Sequence, residues 1–319
     1  MVVTMTHFGY VKRVSPDVYR TQNRGGRGVM GHSTKEEDFV ELMFVTSTHS
    51  DLFFYTTRGR VFKVRCYAIP ETGRASKGVP VVDLVQLQDG EKVTAMYPGS
   101  RGDTDNRYLV TATRQGLIKK TRISECSNIR KGGLLIQSIL EGDELMSVEV
   151  SSGEDEFLIS SRKGKCIRFS EGDVRATGRG GQGVRSIRLD DGDEVVDMVK
   201  IVPGGALLTV TERGMGKRTD EDQYRAQGGG GKGITAMNLT EKTGDLACCK
   251  MTLGDEDMML VRDDGTIIRT PVAQVPNIGR ATQGVRLMRV DEGTRVVCVA
   301  LAPHAEEEAE EAPVPEPEA

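Results

Sequence analysis

The residues with the clearest chemical potential lie in a glycine-rich, basic segment near the start of the chain, TQNRGGRGV at 21–29. Glycine lets a backbone approach another surface closely, and the interleaved Arg24 and Arg27 supply positive charge. A loop of this composition suits contact with the phosphate backbone of a nucleic acid, which guanidinium, ammonium and amide groups bind without reading the bases. The sequence therefore indicates a phosphate-binding loop at 21–29.

Similar segments recur later in the chain, and their interpretation is open. They read GRASKGV at 73–79, GRGGQGV at 178–184, QGGGGKGI at 227–234 and GRATQGV at 279–285. Each could bind phosphate, or it could be a structural crossover whose cations are merely solvated. Phosphate binding is favoured for the first copy, because both of its arginines are present and residues 1–35 hold six basic residues against the single acidic Asp17.

Groups that could support catalysis or hold a metal are not arranged for either role. The chain has four histidines, His7, His32, His49 and His304. They show neither metal-ligand spacing nor a nucleophile motif. Paired carboxylates recur once per repeat in an acidic turn, whereas a glycosidase needs one asymmetric pair. GGGGKG at 228–233 is not a P-loop, since Gly233 follows Lys232 where Ser or Thr is required. We therefore predict no catalytic residue, metal site or cofactor in this chain.

Three independent features repeat with a period of about fifty residues, which is the signature of a repeat architecture. The first is a turn glycine followed by a basic residue, found at Gly9, Gly59, Gly116, Gly164, Gly214 and Gly265. The second is the glycine near the end of each glycine-rich segment, at Gly28, Gly78, Gly133, Gly183, Gly233 and Gly284. The third is an acidic turn with glycines at Gly90, Gly142, Gly192, Gly244 and Gly293. Chance does not produce three registers with one period.

Each repeat has the pattern of short β-strands. In RVFKVRC, Val61, Lys63 and Arg65 alternate with Phe62 and Val64, which is the period of a half-buried strand. The preceding Arg58-Gly59 supplies a hairpin turn. About fifty residues hold four short strands, the size of one propeller blade. The sequence predicts an all-β propeller of six four-stranded antiparallel blades over residues 1–303, with blades beginning near residues 1, 51, 107, 156, 205 and 257.

The charge is distributed unevenly. The net charge is −4, but residues 305–319 carry seven Glu and no basic residue, which leaves +3 on residues 1–304. We expect a disordered acidic tail at 304–319 and a mildly basic body that favours a polyanionic partner. The absence of Trp and an aromatic content of 5% argue against carbohydrate or methyl-lysine binding.

The cysteines and the apolar segments indicate a reduced compartment. The six cysteines form no C-x-x-C pair, and we expect them to be small core residues of a cytosolic protein. No apolar run approaches the length of a membrane span. The chain opens directly on a strand-like segment, MVVTMT, as expected for a domain excised from a larger protein.

The glycine-rich basic segment and the first strand pair resemble those of a known protein family. QNRGGRG at 22–28 resembles the GyrA box of bacterial DNA gyrase A proteins, whose usual form is Gln-Arg-Arg-Gly-Gly-Lys-Gly. Five of the seven positions match, with Asn23 in place of an arginine and Arg27 in place of a lysine. The opening VVTMTHFGYVKR is similar to the first strand pair of the same family's C-terminal domain, and the resemblance extends to about residue 303. An acidic tail is also typical of that family.

The resemblance implies a fold and a function. The fold is a β-pinwheel, in which neighbouring blades exchange strands, and the box loop lies where the first and last blades meet. Duplex DNA wraps around a basic rim with a positive crossing, and the intact enzyme uses this wrap to introduce negative supercoils with ATP. The cleaving tyrosine, the Mg²⁺ site and the ATPase lie in other parts of that enzyme. The expected partners are therefore duplex DNA, the remainder of the gyrase A protein and the gyrase B protein, in the bacterial cytoplasm at the nucleoid.

The residues expected to bind DNA form two groups. The box group comprises Gln22, Asn23, Arg24, Gly25, Gly26, Arg27 and Gly28. The rim group comprises Lys12, Arg13, Lys63, Arg65, Arg74, Lys77, Lys119, Lys120, Arg179, Lys217, Arg218 and Lys232. Contacts of this kind read charge and deformability instead of base identity.

Two alternatives remain open from the sequence. The equivalent domain of topoisomerase IV shares the blades, although six repeats and a nearly intact box favour gyrase. A protein-interaction propeller of WD40 or kelch type is compatible with the modest charge of the body, although no Trp-Asp dipeptide is present.

Overall fold

The computed structural model describes residues 1–19, the backbone of 29–30, residues 40–99 and residues 106–304. Within these ranges the chain forms β-strands and short 3-10 helices and no α-helix. The strands assemble into six four-stranded antiparallel sheets. The prediction of an all-β propeller with six four-stranded blades is therefore confirmed.

The strands, in chain order, are β1 Val2–Thr6, β2 Tyr10–Val14, β3 Val29–Met30, β4 Val40–Val45, β5 Asp51–Thr56, β6 Arg60–Arg65, β7 Val79–Pro80, β8 Val93–Gly99, β9 Tyr108–Thr113, β10 Leu117–Arg122, β11 Leu134–Leu135, β12 Leu145–Ser151, β13 Glu156–Ser161, β14 Lys165–Ser170, β15 Val184–Arg185, β16 Val195–Lys200, β17 Ala206–Thr211, β18 Met215–Asp220, β19 Ile234–Thr235, β20 Leu246–Thr252, β21 Glu256–Arg262, β22 Thr266–Pro271, β23 Val285–Arg286 and β24 Val296–Pro303. The 3-10 helices are Pro16–Val18, Cys66–Ala68, Val81–Asp83, Ile123–Cys126, Glu171–Asp173, Glu221–Gln223 and Val272–Gln274.

Each blade takes three strands from its own repeat and a short fourth strand from the next repeat. The sheet orders, from blade 1 to blade 6, are β4-β1-β2-β7, β8-β5-β6-β11, β12-β9-β10-β15, β16-β13-β14-β19, β20-β17-β18-β23 and β24-β21-β22-β3. The last sheet is completed by β3 from the first repeat, which closes the ring. This exchange between neighbours is the pinwheel arrangement that the resemblance implied.

The first two strands of each blade form a tight hairpin. In blade 2, Tyr55 of β5 lies opposite Val61 of β6, and Gly59 takes a φ of +74° in the turn between them. That backbone conformation is left-handed, so glycine is the residue that adopts it without a steric penalty. The predicted turn at Arg58-Gly59 is present.

The core is divided among the seams between blades. Six clusters of buried apolar residues are found in the described ranges, and each joins two neighbouring blades. At the seam between blades 6 and 1, Val2 and Tyr19 pack with Met259 and Ile267. The six cysteines are all buried and unpaired, as expected for core thiols.

The order of the strands gives every blade an inner and an outer edge. The long strands β4, β8, β12, β16, β20 and β24 contact one another in a circle and surround a central channel. The two-residue exchanged strands occupy the opposite edge of each sheet. The described glycine-rich segments, which precede β7, β15, β19 and β23, therefore lie along the outer edge of the ring.

The close approach of the exchanged strands yields a stability prediction for Gly183. Gly183 has a φ of +98°, and a Cβ added to it would lie 2.5 Å from the carbonyl oxygen of Ile118. Gly293 has a φ of +82° and no atom within 4 Å of such a Cβ. Gly293→Ala should cost about 1–2 kcal/mol of unfolding free energy from backbone strain alone, and Gly183→Ala should cost about 1–3 kcal/mol more from overpacking. Denaturant unfolding of the two variants measures the difference, and equal costs would contradict this account.

Candidate nucleic-acid interface

Two consecutive residues of the second strand follow each hairpin turn and point to opposite faces of the blade. The first position, three residues after the turn glycine, holds Lys12, Lys119 and Lys217 in blades 1, 3 and 5 and Phe62, Ile167 and Ile268 in blades 2, 4 and 6. The second position is basic in every blade: Arg13, Lys63, Lys120, Arg168, Arg218 and Arg269. Because the two side chains face different neighbours, they have different roles.

The lysines at the first position are buried beneath the glycine-rich loop of the next blade. Lys12 and Lys217 have no exposed surface, and Lys119 is nearly as buried. The Lys12 ammonium donates to the carbonyl oxygens of Arg74 and Ser76, the latter at 2.9 Å. Lys217 donates in the same way to the carbonyl oxygens of Gly279, at 2.9 Å, and Arg280. These ammonium groups hold the backbone of the crossover loops.

This burial corrects part of the expected basic rim. Lys12, Lys119, Lys120 and Lys217 were expected to face outward, but their side chains are buried. The crossover loop covers the three lysines of the first position, whereas Lys120 contacts Glu171 of blade 4, at 3.3 Å from its carbonyl oxygen and 3.2 Å from its carboxylate. The sequence pattern could not show this, because the covering residues come from the next repeat.

Burial changes the acidity of the enclosed lysines. Removal from water and the neighbouring Arg74 lower the pKa of Lys12 to about 8. Removal from water and Arg280 lower the pKa of Lys217 to about 8. The pKa of Lys119 is also lowered, mainly because the side chain is buried. The charged form of each lysine is therefore less favourable here than in water.

Arginines at the second position bind the end of a 3-10 helix in the next blade. Arg13 donates from Nε to the carbonyl oxygen of Ile69 at 2.6 Å, and Arg218 does the same to Val275 at 2.9 Å. Both side chains are half-buried. Lys63 is instead exposed on the surface of blade 2. Arg13 and Arg218 therefore join blades, and Lys63 remains accessible.

The remaining rim candidates lie at the surface of the loops or beside them. Arg74, Arg179 and Lys232 are exposed on glycine-rich crossover loops. Lys77 is half-buried, with its ammonium 3.7 Å from the ring centre of Tyr10. Arg65 is half-buried and forms an ion pair with Asp51.

Several exposed cations of the same outer loops were not singled out from the sequence. They are Arg130, Lys131, Arg175, Arg185, Arg225 and Arg286. Repeat alignment contains a signal for two of them, since Arg185 and Arg286 each stand two residues after the repeating glycine, in the exchanged strands β15 and β23. The described glycine-rich segments are thus structural crossovers that also present exposed cations. The structural-crossover interpretation and the phosphate-binding interpretation are therefore compatible.

The box group, Gln22 to Gly28, lies outside the described residues. The described chain on either side of it reaches the same seam. Tyr19 is buried between blades 6 and 1, and β3, immediately after Gly28, pairs with β22 of blade 6 through Val29–Ile267 and Met30–Thr266. The expectation that the box belongs to the junction of the first and last blades is consistent with both anchors.

Comparison with known proteins decides the family. The family model described as "DNA gyrase C-terminal domain, beta-propeller" matches residues 1–47, 50–100, 107–152, 155–201, 206–247 and 257–304. This chain belongs to the DNA gyrase C-terminal domain family. The DNA gyrase A proteins of Staphylococcus aureus strains NCTC 8325 and COL are 41% identical over 314 residues, which is 98% of this chain and 35% of each relative. The chain thus spans about a third of the length of these curated relatives.

Solved structures of the family share the fold. A structure of a DNA gyrase A C-terminal domain superposes with a TM-score of 0.85 at 26% identity, covering 94% of this chain and 98% of that one. The C-terminal domain of DNA topoisomerase IV gives a TM-score of 0.72 at 20% identity, covering 95% and 93% respectively. The second likeness concerns the fold alone.

The central channel of this gyrase-family ring is electrostatically compensated. It encloses a cavity of about 690 Å³. Arg114 lies 3.3 Å from Glu144 and 3.5 Å from Glu194, and Arg162 pairs with Asp245 at 2.9 Å. Arg114 and Arg162 of the channel are thus paired with carboxylates, whereas Arg74, Arg179 and Lys232 on the outer loops are exposed. The described residues contain no cluster of His, Cys, Asp and Glu able to hold a metal ion and no helix able to cross a membrane.

The buried lysine of blade 5 yields a pH-dependent prediction. The folded state lowers the pKa of Lys217 from 10.5 to about 8, so between these values the unfolded chain binds more protons and the folded state gains stability as pH rises. The difference in unfolding free energy between the wild type and Lys217→Met should change with pH. It should shift in favour of the wild type by about 1 kcal/mol between about pH 7 and pH 9. Ile268 occupies the same repeat position in blade 6, so this position of the fold accepts an apolar side chain in another blade.

Denaturant unfolding at each pH measures the difference between the two proteins, and the other titrating groups cancel in it. Lys63→Met, at an exposed lysine of the matching strand in blade 2, is the matched control for the loss of a lysine outside a buried site. A pH-independent difference for Lys217→Met would contradict the role assigned to burial.

Proposed function

We propose that this chain binds double-stranded DNA along the outer edge of its ring and wraps it without sequence preference. The observation that carries the proposal is the series of exposed cations on glycine-rich loops at successive seams. At the five seams from blades 1–2 to blades 5–6 these include, in order, Arg74, Lys131, Arg179, Lys232 and Arg286. By repeat register, Arg24 and Arg27 of the box belong to the sixth seam.

The spacing of these cations suits a curved polyanion. Each bend of 40–90° in a duplex costs on the order of 1–6 kcal/mol, so a wrap of most of a turn requires many compensating contacts. Each phosphate that a lysine or arginine neutralises releases counterions, which favours binding irrespective of base sequence. A ring that offers cations at every seam distributes such contacts along the whole path of the DNA.

The buried lysines support the same role indirectly. Lys12 fixes the carbonyl of Arg74, whose own side chain is exposed, and Lys217 fixes the loop at Gly279 and Arg280. A loop already held in one conformation loses less entropy when it binds a ligand. Lys12 and Lys217 therefore contribute by organising the loops.

We further propose that the chain acts as the C-terminal part of a bacterial gyrase A protein. With the rest of that protein and with gyrase B, the wrap would present a DNA segment for passage, so that the ATP-driven reaction introduces negative supercoils. ATP and Mg²⁺ would be used by those other parts in the bacterial cytoplasm, and this chain would contribute no catalytic residue. The 41% identity to gyrase A proteins over 98% of the chain supports the assignment.

The topoisomerase IV alternative has a similar propeller fold but much lower sequence identity to this chain. Its C-terminal domain is 20% identical to this chain, a level at which only the fold is comparable. The QNRGGRG segment and the identity to gyrase A favour gyrase. Membership of the gyrase family excludes the WD40 or kelch alternative.

The salt dependence of DNA binding tests the proposed surface. The logarithm of the affinity for a plain duplex should fall linearly with the logarithm of salt concentration, with a slope of about −0.9 per neutralised phosphate. Arg185→Ala combined with Arg286→Ala, both exposed in exchanged strands at the outer edge, should reduce the steepness of that slope by about 2, that is, about 0.9 for each lost contact. Fluorescence anisotropy over a salt series measures it.

The matched control is Arg58→Ala combined with Arg213→Ala, which removes two exposed arginines from hairpin turns away from the outer loops. It should leave the slope unchanged. Wrapping itself is tested by ligating a nicked plasmid around the wild-type chain and measuring the trapped linking difference. A flat salt response, or the absence of a linking difference, would refute the proposal.

The box yields a separate prediction. Replacing Arg24 and Arg27 with Ala in the gyrase holoenzyme should abolish most ATP-driven negative supercoiling and spare DNA cleavage and relaxation, because phosphate contacts are lost and no catalytic group is touched. The Arg58→Ala and Arg213→Ala pair again removes equal charge and should supercoil normally. Wild-type supercoiling by the box variant would show that another loop carries this function.

A further inference from the structure

The seam between blades 6 and 1 has fewer covalent connections than the other five. At each of the other seams the innermost strand of one blade continues directly into the next blade, as β4 does into β5 through residues 46–50. Within the described ranges, no chain segment joins β24, the last strand, to β1, the first. Among the described residues, this seam is held by the pairing of β3 with β22, by an apolar cluster and by side-chain hydrogen bonds.

Arg269 of β22 makes the central polar contacts at this seam. Its guanidinium pairs with Asp257 at 2.7 Å and donates to the carbonyl oxygen of Pro303 at 2.8 Å, both within blade 6. It also reaches blade 1, with the carbonyl oxygens of Pro16 and Tyr19 at 3.4 Å and 3.5 Å. The side chain of Arg269 is 4% exposed and that of Asp257 is fully buried.

The Asp257 carboxylate is held from a second side. Nδ1 of His304 lies 2.6 Å from its other oxygen. A buried carboxylate with an arginine and a histidine as partners is well compensated, and it keeps the guanidinium in one orientation. The group that contacts blade 1 is therefore fixed from within blade 6.

A second copy of this arrangement exists at a covalently continuous seam. Arg168 of blade 4 pairs with Glu156 at 3.0 Å and donates to the carbonyl oxygens of Glu221 and Tyr224 of blade 5, at 2.9 Å and 3.2 Å. Within the described residues, and unlike Arg269, it also forms an ion pair across its seam, with the carboxylate of Glu221. Tyr224 is buried and stands three residues before QGGGGKG, just as Tyr19 is buried and stands three residues before QNRGGRG. Blades 4 and 5 are additionally joined by residues 201–205, so Arg168 is a natural matched control.

We propose that Arg269 is a positioning residue for DNA wrapping, because it latches the last blade to the first and keeps the ring closed at Tyr19. The inference rests on the proposed wrapping function. DNA that follows the outer edge must cross this seam to complete its path, so opening the seam shortens the continuous basic track. An opened ring keeps its individual loops, and local binding to one or two blades is retained.

The test compares Arg269→Met with Arg168→Met in the chain described above. Hydrogen exchange without DNA should accelerate at least about tenfold in β1 and β24 of Arg269→Met, since those strands flank the opened seam. The same variant should lose more than half of the linking difference trapped on a nicked plasmid. Its affinity for a short duplex should stay within about twofold of wild type, because most phosphate contacts of a single blade persist. Arg168→Met should trap the wild-type linking difference.

Two further variants separate latching from folding. Arg269→Met with Asp257→Asn removes the arginine without leaving a buried charge, and it should show the same faster exchange and the same loss of wrapping. Arg269→Lys should show slower hydrogen exchange and a larger trapped linking difference than Arg269→Met. The inference is overturned if the double variant keeps wild-type exchange and wrapping, or if Arg168→Met loses as much wrapping as Arg269→Met. If wild type traps no linking difference, the proposed function fails, while the hydrogen-exchange comparison still decides whether Arg269 closes the ring.

Discussion

The structure depends on one constraint. The three strands that each repeat contributes to its own blade leave the outer edge of the second strand without backbone partners. Exposed backbone N–H and C=O groups on such an edge must find partners, and they also invite pairing with other chains. Two residues from the next repeat supply the partners in every blade. The crossover to that position forces each glycine-rich loop across the neighbouring strand. The repeating glycines at 78, 183, 233 and 284 lie where a Cβ would meet a carbonyl oxygen of that strand.

The same crossover explains how the cations are divided. A loop that passes over a neighbouring blade brings carbonyl oxygens that need donors, and buried polar groups without partners are costly. In blades 1 and 5 the donors are ammonium groups on the covered strand, Lys12 and Lys217. In blade 4 the apolar Ile167 occupies that position and lies beneath the loop at Gly231. Cations on the outer side of the loops are exposed and do not hold the loop carbonyl oxygens. They are the groups available to a polyanion.

The stability of a blade in this ring depends on the seams that it shares with its two neighbours. Each seam has its own apolar cluster, so a blade is stabilised chiefly by its two neighbours. Five seams gain from a continuous chain. The sixth has β3, the packing around Tyr19 and the contacts of Arg269 with the carbonyl oxygens of Pro16 and Tyr19. The described residues on either side of the box, Tyr19 and β3, both belong to the seam with the fewest covalent links.

The architecture could be predicted from the sequence, because three glycine registers with one period and strand-like alternation leave few folds to consider. The sequence also located the loops, since Gly with Arg or Lys marks close backbone approach together with charge. It did not separate Lys217 from Arg179, which are both basic residues in or near a glycine-rich repeat. Tertiary structure decided that Lys217 lies beneath a loop and Arg179 on one. The physical reason is that burial at these positions is imposed by the next repeat, about fifty residues away, whereas the alternation along a strand reports only which side a residue faces.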